Sequence, residues 1–89
     1  MHVHFIRNIQ FTRVLKADGR QREFNFRKSN GEQESIFTVD VSDDRGNRII
    51  FKMHKEDGTW KIIPQSVPGW INDNEAVFND IIEEELRNQ

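Results

Sequence analysis

Residues Ser35 to Ile63 read SIFTVDVSDDRGNRIIFKMHKEDGTWKII. Apolar and polar residues alternate through Phe37, Val39 and Val41, through Ile49, Phe51 and Met53, and through Trp60 and Ile62. A period of two is the pattern of a strand with one buried face. The interruptions are turn sequences. Asp57-Gly58 suits a two-residue type I′ hairpin, whose two central residues both need positive φ. Asp43-Asp44-Arg45-Gly46-Asn47 suits a three-residue loop of Asp44, Arg45 and Gly46, with the glycine in the left-handed position.

The pattern extends toward the N-terminus. Asp18-Gly19 and Asn30-Gly31 are two further hairpin dipeptides. The spacing predicts strands over roughly 3–17, 20–28, 35–42, 48–55 and 59–63, joined as an antiparallel meander. Two-residue loops also specify which residues face each other. The first turn sets Phe11 opposite Phe26, Arg13 opposite Phe24 and Leu15 opposite Arg22. The second sets Phe24 opposite Phe37, Arg22 opposite Val39 and Arg27 opposite Glu34. The third sets Phe37 opposite Met53 and Val39 opposite Phe51, and the fourth sets Met53 opposite Ile62 and Lys55 opposite Trp60. All four place the large apolar residues on one face.

Pro64 to Trp70 carries two prolines and a glycine and reads as a linker, assigned to 64–71. Asn72, with Glu75 three residues on, is the expected N-cap of a helix over about 73–88. Val77, Phe78, Ile81, Ile82 and Leu86 recur at helical spacing and form the expected apolar stripe. Covering the Phe-rich sheet face with that stripe avoids a large exposed apolar patch. The expected fold is α+β: a five-stranded antiparallel meander (1–63) and one C-terminal helix (72–88) in a single domain. Its 89 residues leave no room for a second core.

Residues 1–28 hold seven basic and two acidic side chains, and residues 64–89 hold one basic and six acidic. The expected cause is pairing within the domain, with Arg13 and Arg22 on the core-facing sheet side and Asp80, Glu83, Glu84 and Glu85 on the helix. Residues 3–8 continue the phase of the first strand beyond the reach of its hairpin partner, so they are expected either to close the sheet or to pair with a second copy.

Several function classes lack their chemistry here. The chain has no cysteine, so thiol catalysis, disulfides and cysteine zinc sites are excluded. His2-x-His4 places two imidazoles on one side of a strand, but His54 is the only other histidine and zinc needs further ligands. Ser29, Ser35, Ser42 and Ser66 stand in no nucleophile motif, and the isolated glycines form no phosphate loop. No catalytic residue, cofactor or metal is expected. There is no apolar run of membrane-spanning length and no signal-peptide order at the start, so a cytoplasmic setting without membrane contact is expected.

Two functional readings remain. The first is a small non-catalytic interaction or regulatory module. Its partner is another protein or a second copy, met through the N-terminal strand or the polar sheet face. Val14, Ile36, Ile50 and Ile63 supply apolar islands on that face, and Trp70 supplies a further contact. The second is a single-stranded nucleic-acid binder that uses Lys16, Arg20, Arg27, Lys28 and Lys52 against phosphate.

Overall fold

The computed structural model describes residues 9–28 and 36–88. Five strands form one antiparallel sheet in sequence order: β1 (Ile9–Ala17), β2 (Arg20–Lys28), β3 (Ile36–Ser42), β4 (Arg48–Glu56) and β5 (Thr59–Ile62). A one-turn helix α1 (Gly69–Asn72) precedes a longer helix α2 (Glu75–Arg87). The expected residues 3–8 and the Asn30-Gly31 turn lie outside the described residues, as do His2 and His4.

The turns explain the sheet. Asp18 and Gly19 have φ of 54° and 77°, and Asp57 and Gly58 have 52° and 83°. These are the paired positive values of type I′, whose twist matches that of the flanking strands. In the third loop Gly46 has φ 82°, and Asp43 N–H donates to Asn47 O at 2.8 Å across three residues. The Asp43 carboxylate accepts from the N–H groups of Arg45 and Asn47 at 2.9 and 2.8 Å. The registers expected from these three turns are observed: Arg13 faces Phe24, Val39 faces Phe51, and Lys55 faces Trp60.

The second register differs. Phe26, not Phe24, belongs with the middle of β3: it faces Val39, while Asn25 faces Asp40 and Arg27 faces Thr38. Arg27 faces Thr38 in place of the expected Glu34. An even-numbered slide leaves every side chain on its expected face. It changes the polar neighbours instead. Asp40 now receives a hydrogen bond from Asn25 Nδ2 at 3.0 Å. Arg22 leaves Val39 for Asp44, at 2.9 Å.

The core gathers on the expected face. Phe24, Phe26, Phe37, Val39, Phe51, Met53 and Trp60 are buried there, under Ile71, Phe78, Ile81 and Ile82. Phe78 is the centre, with ring centroids 5.2 Å from Phe24, 6.2 Å from Phe26 and 5.6 Å from Phe51. Aromatic pairs in tilted and edge-on arrangements add to the gain from buried area. Val77 departs from the expected stripe: it is 41% exposed. The buried set 78, 81 and 82 lies to one side of it on the helical wheel, with Leu86 packed against the core at the margin.

The expected linker contains α1, which buries Ile71. Asn72 is the last residue of α1 and not a cap. Asn74 occupies the N-cap position of α2, but its Nδ2 donates to Trp70 O at 2.6 Å. Glu75 does not complete a capping box either, because its carboxylate is engaged by β5.

Candidate interaction surface

The two edges of the sheet are treated differently. After a two-residue turn, alternate residues aim their main-chain groups at the partner strand and the others aim theirs outward. On β5 the outward N–H groups are those of Trp60 and Ile62. Helix α2 meets both with side chains: Trp60 N–H donates to Asn79 Oδ1 at 2.8 Å, and Ile62 N–H to Glu75 Oε2 at 2.7 Å. Glu83 finishes the cover. It accepts from Trp60 Nε1 at 2.8 Å and pairs with Lys55 at 3.2 Å. The Trp60 indole N–H and then Lys55 hold the Glu83 carboxyl below its ordinary range. A covered edge cannot accept another strand.

The opposite edge is β1. By the same geometry Gln10, Thr12, Val14 and Lys16 aim their main-chain groups away from β2. Among the described residues no strand pairs with this side. The helix reaches β1 through a side-chain clasp, Arg13 to Glu84 at 2.7 Å and to Glu85 at 3.0 Å. This clasp realises part of the expected pairing of the basic first hairpin with the acidic helix: Arg22 pairs with Asp44 instead, and Glu83 with Lys55. On the core side of β1, Ile9, Phe11 and Leu15 are half-buried and packed against the core. Phe11 stacks on Phe26 at 4.8 Å.

The outer sheet face is a polar network with separated apolar residues. Thr12, Asn25 and Asp40 lie in one row across β1, β2 and β3. Thr12 Oγ1 donates to Asn25 Oδ1 at 2.7 Å. Asp40 is 3% exposed and also accepts from Arg48 at 3.1 Å, with Arg27 at 3.9 Å. Burial pushes the Asp40 carboxyl up. The hydrogen bonds from Asn25 and Arg48, with the charges of Arg48 and Arg27, outweigh it and hold the carboxyl below its ordinary value. A lowered carboxyl stabilises the fold above the unfolded pKa of about 4, and this contribution is lost as pH falls through the folded value. Asp40→Asn is therefore expected to be less stable than the parent at neutral pH, with the gap closing below about pH 4 in acid-titrated urea melts. A gap unchanged by acid would exclude this role.

The sequence-derived contacts fall into this frame unevenly. Val14 and Ile50 are 57% and 53% exposed, but β2 and β3 separate them. Ile36 faces His54, which faces Lys61, and Ile63 N–H donates to Lys52 O at 2.9 Å; both isoleucines are half-buried. Trp70 is not an open contact. Arg22 stacks over its ring at 4.3 Å, and Phe24 meets it edge-on at 6.4 Å. The basic set does not converge. Lys16, Arg27 and Lys52 belong to the outer face, whereas Arg20 and Lys28 belong to the core-facing side of β2. Arg20 is paired with Asp44 at 2.9 Å.

The Arg22 cluster was legible only in part. Its guanidinium is buried, donates from Nε to Ala17 O at 2.9 Å, and reaches Asp44 at 2.9 Å. It adjoins an open groove of about 480 Å³ where β2 and β3 diverge beyond the Asn25–Asp40 pair. The groove walls are polar, and Arg20 and Arg22 both pair with Asp44 there. Among the described residues no cluster of His, Asp and Glu is arranged to hold a metal ion. No helix of the described chain is long and apolar enough to cross a membrane.

Comparison with protein families, with curated proteins and with solved structures finds no match for this chain.

Proposed function

We propose that this chain is a small non-catalytic interaction module whose docking site is the outer edge of β1. One observation supports the reading: helix side chains occupy the outward N–H groups of β5, while among the described residues no strand pairs with the corresponding groups of β1. An extended segment added there gains main-chain hydrogen bonds, and side chains of alternate residues provide selectivity. Half-buried Ile9, Phe11 and Leu15 offer an apolar margin on one side, and Thr12 and Val14 a neutral one on the other. Part of the charge asymmetry is matched internally, by Arg13 with Glu84 and Glu85, which weakens the case for a phosphate-binding face.

The test is a selection of extended peptides from a display library against the intact protein, mapped by amide NMR. Binders are expected to shift and protect the amides of residues 10–16 from exchange. A parallel titration uses a short single-stranded oligonucleotide at low salt. Peptides that avoid β1, together with salt-sensitive oligonucleotide shifts around Arg27 and Lys52, would overturn the reading in favour of nucleic acid.

A further inference from the structure

We infer that the occupant of the β1 edge is the β1 edge of a second copy, joined antiparallel about a two-fold axis. This rests on the docking site proposed above and names its partner. The argument begins with the asymmetry of the sheet. Asn79 and Glu75 cover β5, so β1 of one copy cannot extend onto β5 of another. Among the described strands, β1 on β1 remains. That contact is isologous, and it closes at two copies without propagating into a fibre.

The side chains of β1 suit their own antiparallel image. With Arg13 at the axis, Thr12 of one copy stands opposite Val14 of the other, and Gln10 opposite Lys16. These even-numbered residues are the ones whose main-chain groups face outward, so each pair exchanges two hydrogen bonds. On the core side Phe11 stands opposite Leu15, and Ile9 opposite Ala17. Apolar side chains that are half-buried in one copy thereby continue into a common seam.

Charge also fits. The lone cation of the outer row, Lys16, meets a neutral glutamine. At the axis two Arg13 groups approach, but each arrives holding Glu84 and Glu85 at 2.7 and 3.0 Å. Carboxylates outnumber guanidinium groups there, so the carboxylates of one copy are available to the arginine of the other. Like charges directly opposed across a strand pair are destabilising, and this surplus of carboxylate removes the conflict.

The test is sedimentation equilibrium of the intact protein over a concentration series reaching the millimolar range. The expected mass is twice that of the 10.6 kDa chain, with no larger species. Val14→Pro removes an N–H that points away from β2, so the hairpin tolerates it while the two-fold pairing does not. It is expected to sediment as a single chain with an unchanged circular dichroism spectrum. Should Val14→Pro fail to fold, Gln10→Lys serves instead: it sets lysine against Lys16 of the other copy and is expected to weaken association in a salt-dependent manner. Ile50→Asp, on the outer face of β4, is expected to remain dimeric. A single chain at every concentration overturns the inference. So does a dimer that survives both β1 variants but dissociates with Ile50→Asp, which assigns the contact to the sheet face. A monomer that still captures library peptides on residues 10–16 overturns the second copy alone and leaves the docking site standing. A monomer that captures none there removes both.

Discussion

Replacing Phe78 with alanine is expected to destabilise the domain by about 3–5 kcal/mol, the range for deleting a buried phenylalanine from a packed core. Phe78 is fully buried and its ring contacts Phe24, Phe26 and Phe51 at once. It is the one aromatic side chain that α2 contributes to the core. Its loss leaves a cavity between two main-chain layers, the helix and the sheet, which cannot collapse without moving α2. That helix is held by Asn79 and Glu75 on β5 and by Glu84 and Glu85 on β1, so it is poorly able to follow. Small domains have about 5–15 kcal/mol of stability in total, and urea melts should show the variant largely unfolded or close to it. Val77→Ala provides the contrast. Val77 is exposed on the same helix, and its loss is expected to change stability by less than about 0.5 kcal/mol. Similar losses for the two variants would mean that the helix is packed through the wrong face.

The second large effect is expected at Arg22. Arg22→Ala should cost about 2–3 kcal/mol, with contributions from a charged hydrogen bond, the cation–π contact and the buried stem. Arg22 Nε satisfies Ala17 O beside the first turn, and its planar head supports Trp70 at 4.3 Å. Asp44 remains solvated when Arg22 is removed, so it contributes little to the cost; the damage lies in the lost bond to the Ala17 carbonyl and the unsupported indole. Arg22→Lys is expected to recover only part of the loss, because an ammonium cannot bond Ala17 O, reach Asp44 and stack on Trp70 together. Tryptophan emission gives the specific readout. Trp60 lies at the far side of the core, so a red shift with a folded circular dichroism spectrum reports Trp70. An unshifted emission would show that the stack does not hold the indole in place.

These two residues mark how far the sequence could be read. Phe78 was legible because a helical repeat over 78, 81 and 82 requires a buried stripe, and the only large apolar surface available to it was the Phe-rich sheet face. Arg22 was legible in its position but not in its partners. Its row on the core-facing side follows from the first turn. Its contacts with Trp70 and Asp44 depend on a one-turn helix inside a proline-containing linker and on the slide between β2 and β3. Neither leaves a local signal. The candidate site divides in the same way. Alternation marked β1 as a strand with an edge in question, yet nothing in the order of residues shows that Asn79 and Glu75 serve the opposite edge.

The strands, three of the four registers, the buried face and the final helix follow from the order of residues, because these depend on short-range chemistry. Positive φ at Asp-Gly pairs and the period of apolar residues act within a few residues of one another. The β2–β3 register, the burial of Asp40 and the inequality of the two sheet edges emerge from the folded chain alone. Those depend on free energies between groups far apart in the chain. In the observed register Asn25 and Arg27 of β2 join Arg48 of β4 in offsetting the desolvation of Asp40. Helix α2 covers one edge because its side chains reach the main-chain donors of β5, whereas at β1 its polar side chains bond the Arg13 side chain.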